Sequence, residues 1–395
     1  MNEIMNETMS RYERLQAAWN HEEGDRVPVA PVNCYISAYL GGISIREMFY
    51  EPDKLMQATA KTRAIIGGGG DQEDPNITTL DHLSLLGKSG WDQVTLNWRI
   101  WDEFPPKGNI PSFFEKPIIA DYDDVMERGA STLFFNKNAS PDVFGRSIDD
   151  FLYYEFEYPQ VYAAAWRKFV EEHQVPLMMG GRATIPFELV LYYRGFPQLV
   201  RDVMTQPDKV KEMCEWLLEH EILNAFKQAM TMGAGEVPGA EIIFFQAGVV
   251  GPPYVSPKVF EEIVWPTLKK GVDMIVNRGF KAHVHMDGDL TSVLDILKDL
   301  SRGLPKGKVL LDLEKTNFKK AKEVLGDEIC LHGNVPATLL CLGTTEEVDA
   351  FCRQLIEDCA AGGGFILSTE CETPWNSKPE NIKTMIESAS KYGQY

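Results

Sequence analysis

The sequence predicts an α/β fold, specifically a (β/α)8 TIM barrel, and three observations point there. Apolar, β-branched runs alternate with capped amphipathic helices along most of the 395 residues, the pattern of a parallel sheet covered by helices. About eight such runs are present, the number that closes a barrel. No Gly-x-Gly-x-x-Gly turn follows an early run, so the phosphate-binding turn of the competing open, doubly wound sheet is missing.

The elements follow in order. After a short polar tail, Ser10-x-x-Glu13 forms a capping box that opens an N-terminal helical extension ending near Gly24. Arg26–Asn33 reads as a buried strand. Gly67–Gly70 reads as a flexible turn, because no Lys-Ser follows it as in a phosphate loop. A further strand is expected near 92–97. From about 97 to 174 the rhythm breaks into a stretch rich in Trp, Phe, Tyr and Pro, including Trp98, Trp101, Phe113, Phe134, Phe151 and Tyr158. It reads as an irregular aromatic insertion beside the barrel mouth, packed on itself or serving as a lid or apolar substrate pocket. Strands are then expected at Pro176–Gly180, Glu241–Gln246, Phe280–Met286, Lys308–Leu313, Glu328–Leu331 and Gly364–Ser368. Helix starts are marked by Ser256-Pro257 and by the boxes Thr344-x-x-Glu347 and Ser377-x-x-Glu380. Large barrels run past 250 residues as one unit, so 1–395 is expected to be a single domain carrying the insertion at about 97–174.

Composition excludes several classes of function. A net charge of −19, from 39 basic and 58 acidic side chains, repels phosphate backbones and anionic membranes, so nucleic acid and membrane are not expected partners. The N-terminus Met-Asn-Glu-Ile-Met-Asn-Glu-Thr has neither the basic start nor the apolar run of a signal peptide. No apolar run approaches the roughly 18 residues of a membrane span. A cytoplasmic protein is expected, with homo-oligomerisation left open. Seven cysteines without a CxxC pair suit a reducing compartment, where most are free thiols.

Polar residues collect where strands end, which is where a (β/α)8 barrel keeps its working side chains. They are Asn33 with Cys34, Arg182, Gln246, His285 with Asp287, Asp312, His332 with Asn334, and Glu370 with Cys371. His283, His285 and Asp287 alternate along one strand, so they share a face. Zinc accepts nitrogen, sulfur and oxygen donors, and a catalytic zinc keeps a fourth position open. His285, Asp287 and Cys371 would supply one donor of each kind, and their charge of about −2 would neutralise Zn²⁺ in a partly buried place. His283, one pleat deeper, is expected to support a ligand or replace one.

The chain resembles the uroporphyrinogen decarboxylase superfamily, and within it the zinc-dependent, corrinoid-linked methyltransferases. The resemblance lies in an ordered series of motifs: Glu13-Arg-Leu with Gly24-Asp-Arg-Val-Pro-Val29, Ile185-Pro-Phe-Glu188, Ser256-Pro-Lys with Trp265-Pro266, His285-Met-Asp-Gly288, His332-Gly-Asn-Val-Pro336 and Pro379-Glu-Asn-Ile382. It covers most of the chain, most weakly at 97–174, and implies the same barrel. Decarboxylases of the superfamily bind a polycarboxylate through an arginine-rich segment after the first strand, whereas residues 27–45 contain no Lys or Arg here. The methyltransferases hold zinc through His-x-Cys-Gly and a later cysteine. His285 and Cys371 match two of those positions, and Asp287 stands where the first cysteine would be.

The resemblance therefore implies zinc-assisted transfer of a methyl group from a small methylated donor to the Co(I) corrinoid (cobalamin) of a partner protein. The harder carboxylate favours an ether donor such as an aryl methyl ether, and hence O-demethylation. Glu188, Gln246 and Glu370 are candidates for a displaceable ligand or proton donor, and Asn334 for contact with the cofactor. The rivals are a metal-independent decarboxylase or lyase using His285 and Asp287 as acid and base, and a non-catalytic binding barrel.

Overall fold

The computed structural model describes residues 9–68, 70–73, 119, 121–128, 157–252 and 254–395. Six parallel strands lie side by side in chain order: β1 (Gly181–Thr184), β2 (Ile242–Gln246), β3 (Lys281–Met286), β4 (Val309–Leu313), β5 (Cys330–Val335) and β6 (Phe365–Thr369). Helices connect them, as parallel neighbours require.

Two short segments continue the ring beyond the edges of this sheet. Val29 bridges Leu367 of β6 in parallel, with Ala30 N donating to Leu367 O at 2.8 Å and Leu367 N to Pro28 O at 2.9 Å. Asp71 N donates to Val29 O, and Glu73 bridges Leu177 on the chain entering β1. Residues 28–30, 71–73 and 177–184 thus carry the ring from β6 back to β2, giving the barrel its remaining staves. Pro28 and Pro31 offer no N–H to a ladder, so this first stave holds a single bridge instead of a run. The Asp71 carboxylate compensates by accepting from Val29 N at 2.9 Å and pairing with Arg14 and Arg26.

Several sequence expectations shift. The region near 92–97 lies outside the described residues, and the stave between residues 28–30 and 177 is formed by 71–73. The strand expected over 176–180 is delayed to Gly181–Thr184, because residues 176–178 bond to Glu73 instead of β2. The N-terminal helix is Arg11–Trp19, capped by Ser10 and Glu13 as expected, but it stops well before Gly24 and His21 turns the chain with φ +59°. Thr344 and Ser256 cap their helices, whereas Ser377 does not. Pro379 sets the first turn of the last helix, Pro379–Tyr392, so Lys378 takes the cap position. Most of the aromatic stretch at 97–174 lies outside the described residues. Its end is not irregular: Tyr158–His173 is a helix whose Tyr158, Tyr162, Trp166 and Phe169 form one buried face.

Two layers of core result. Leu15, Ala18 and Trp19 of the first helix meet Ala30, Ile242, Leu310, Cys330 and Ile366 inside the ring, plugging its N-terminal end. Outward-facing strand residues pack against the helices in a much larger cluster. With the lower lumen filled, polar side chains concentrate at the opposite, C-terminal mouth. Among the described residues, no helix is long and apolar enough to cross a membrane.

Candidate metal centre

Strand register assembles the site. His283 lies beside Phe244 and Leu310, and His285 beside Gln246 and Asp312. Asp312 in turn lies beside His332. Neighbouring residues in register share a face, so Gln246, His285, Asp312 and His332 form one polar tier across β2 to β5. β3 ends at Met286, and Gly288, with φ +87°, turns the chain away while its N–H donates to Glu314 Oε2 at 2.6 Å. Asp287 is left at the rim, partly exposed, above a buried His285.

His285 Nδ1 donates to Asp312 Oδ2 at 2.8 Å. Its Nε2 points the other way, 2.8 Å from Asp287 Oδ1 and 3.7 Å from Cys371 Sγ. The three expected ligands therefore meet, with donor atoms all within 4.8 Å of one another. Phe244 stacks on the His285 ring, centroids 5.6 Å apart and planes 24° off parallel, which fixes its tilt. Asp312 fixes its tautomer, since a proton held at Nδ1 leaves the Nε2 lone pair for the mouth.

The electrostatics belong to a site that binds either a proton or a cation. Burial alone would depress His285, but Asp312, Asp287 and Cys371 hold it well above the usual imidazole range. Asp312 is fully buried, which alone would raise it, yet His285 keeps it well below the carboxylate range. Burial pushes the Cys371 thiol up against the pull of His285. Without a metal, His285 thus lies between two carboxylates that favour a proton on its ring. A metal at Nε2 must displace that proton, so metal and proton compete.

Glu188 and Gln246 adjoin this centre. Glu188 is buried on the helix Pro186–Arg194; Gly248 N donates to its Oε2 at 2.7 Å and Tyr192 OH to its Oε1 at 2.7 Å. Burial raises it, the Tyr192 hydrogen bond opposes the rise, and nearby Asp287 adds to it. A Cβ at Gly248 would lie 2.6 Å from both Asp287 Oδ2 and Gln246 Nε2, so these side chains come together over this glycine. Gly248→Ala is expected to push Asp287 away from His285 and to weaken any metal binding by His285, Asp287 and Cys371 roughly 10–100-fold. Chelator competition checks this; unchanged affinity would show that Asp287 does not need its present position.

The other strand-end candidates are engaged elsewhere. Asn334 donates through Nδ2 to Glu314 O and Thr316 O, both at 3.1 Å, holding the loop after β4. The Glu370 carboxylate accepts from Ala337 N at 2.9 Å, at the start of the helix Ala337–Leu342, so it serves a helix end instead of the metal centre. Arg182 is buried among Glu188, Tyr192, Glu221 and Cys34. His283 is a buried neighbour of the centre, its Nε2 3.7 Å from Asp312 Oδ2, and is pushed down to about 4 by desolvation. Sequence reasoning missed the roles of Asp312, Phe244 and Gly248. Asp312 was visible as a carboxylate at a strand end, but its partner depends on register.

The uroporphyrinogen decarboxylase (URO-D) family profile matches residues 147–392, more than half of the chain. Among solved structures, a methyltransferase from Methanosarcina mazei is similar, with a TM-score of 0.68 at 18% sequence identity, over 97% of this chain and 99% of that one. At that identity the likeness speaks for the fold. No curated protein sequence matches significantly.

Proposed function

The chain belongs to the uroporphyrinogen decarboxylase family, and from that premise we propose that it is a zinc-dependent methyltransferase. It moves a methyl group from a small methylated donor, an aryl methyl ether being favoured, to the Co(I) corrinoid of a partner protein at the barrel mouth. The observation that carries this reading is the convergence of His285 Nε2, Asp287 Oδ1 and Cys371 Sγ at the C-terminal end of the strands. The donor set fits zinc. Nitrogen and sulfur ligands on a tetrahedral zinc lie roughly 3.5 Å apart, close to the 3.7 Å between Nε2 and Sγ. Asp287 Oδ1, 2.8 Å from Nε2, would draw back slightly as both atoms turn to the metal.

Bound there, zinc would supply Lewis-acid polarisation of the donor's heteroatom. The remaining work falls to this chain's side chains. Asp312 and Phe244 hold the His285 ring. Asp287 replaces a soft thiolate with a hard oxygen, which suits an oxygen-linked methyl donor. Glu188, raised by burial and by nearby Asp287, is our candidate to return a proton to the departing oxygen, and Gln246 to orient it. Asn334, by tying down the loop after β4, shapes the surface offered to the corrinoid protein. A polycarboxylate substrate fits poorly, since residues 27–45 carry no basic side chain.

The test supplies free Co(I) cobalamin with aryl methyl ethers, amines and thiols, and follows the spectral change to methyl-Co(III). Formation of methylcobalamin from an ether, abolished by a chelator and restored by zinc, is expected. No response to any donor, or decarboxylation that survives the chelator, would replace this reading with the metal-independent lyase.

A further inference from the structure

We propose a second cation site one pleat below the first, formed by His283, Asp312 and His332 and taking a divalent ion of the zinc class. The three side chains are essentially inaccessible, at 2%, 0% and 1% exposure. Their ligand atoms lie within 4.8 Å of one another. Each offers one buried atom with no hydrogen-bond partner: His283 Nε2, Asp312 Oδ1 and His332 Nδ1. Buried polar atoms are rarely left so, and three facing one space call for an occupant.

The chemistry of His332 says what kind. Its Nε2 lies 3.0 Å from Ala30 O, a carbonyl that only accepts, so the proton is on Nε2 and the neutral ring presents a bare lone pair at Nδ1. That lone pair faces Asp312 Oδ1 at 3.5 Å. Two acceptors confront each other there. A protonated ring would close to about 2.7–2.9 Å, and the gap is wider. A water bonded to both atoms at about 2.8 Å would have to subtend about 77°, well under its tetrahedral preference. An ion bound to both at about 2.0–2.1 Å subtends roughly 115°, near the tetrahedral value. Asp312 would then bridge two functions, with Oδ2 accepting from His285 Nδ1 at 2.8 Å and Oδ1 facing the deeper ion. His283 completes the set from the β3 side, its Nε2 3.7 Å from Asp312 Oδ2.

Reconstituting the full chain with Co²⁺, desalting it, and measuring cobalt per chain together with the thiolate-to-cobalt absorption band separates the two sites. Wild-type protein is expected to retain about two equivalents, and Cys371→Ser about one with the band lost. His332→Gln and, as an independent variant away from the Ala30 contact, His283→Gln should each keep the band and fall to about one. A single equivalent that disappears in Cys371→Ser would overturn the deeper site and leave the upper one standing. A single equivalent that survives Cys371→Ser but is lost in His283→Gln would uphold the deeper site and reject the upper. No retained cobalt would reject both.

Discussion

Truncating Asp312 to alanine is expected to destabilise the fold by about 3–5 kcal/mol and to weaken metal binding at the mouth roughly 10–100-fold. Its carboxylate is fully buried and faces three imidazoles, bonding to His285 at 2.8 Å and lying 3.7 Å and 3.5 Å from His283 and His332. Removing it takes away the acceptor that holds the proton on His285 Nδ1 and frees the ring to adopt the wrong tautomer. Asp312→Asn keeps an acceptor for His285 Nδ1 and should recover much of the stability while remaining weak in metal binding. Denaturant unfolding and chelator competition read the two effects separately. An alanine variant as stable as wild type would mean that the polar tier is not held together by this charge.

His285→Ala should lower kcat/KM for methyl transfer by at least about a thousandfold, or about 4 kcal/mol of transition-state stabilisation. Its ring is the link between Asp312 below and Asp287 and Cys371 above, so its loss removes a ligand and separates the remaining two. Zinc content should fall with activity. A variant that keeps its zinc and reacts within tenfold of wild type would show that His285 is structural and that the reacting centre lies elsewhere.

Much of this centre was legible before folding was considered. Alternation of His283, His285 and Asp287 ahead of Gly288 requires a strand with one polar face, and chemistry at a strand end is where a barrel keeps it. Cys371 was recognisable from its place after the last strand run. Caps at Ser10 and Thr344 were equally local, since side chain and backbone partner lie three residues apart. Ser377 failed because the proline two positions later sets the helix start. The stave at 71–73 was hidden because it is held by single bridges and by the Asp71 carboxylate, with no apolar periodicity to mark it.

By itself, the sequence determined the alternation of strands and helices, the polar face of β3 and the residue types that can bind a cation. Those depend on period and composition, which act over a few neighbours. Only the tertiary structure decided which atoms meet. Register between β3 and β4 sets Asp312 against His285, and a slip of one residue would turn its carboxylate out of the lumen. Closure of the ring brings Cys371 to within 3.7 Å of His285 Nε2 and leaves His283, Asp312 and His332 facing one another with unpartnered atoms. Such contacts join residues far apart in the chain, and no local pattern encodes their distances.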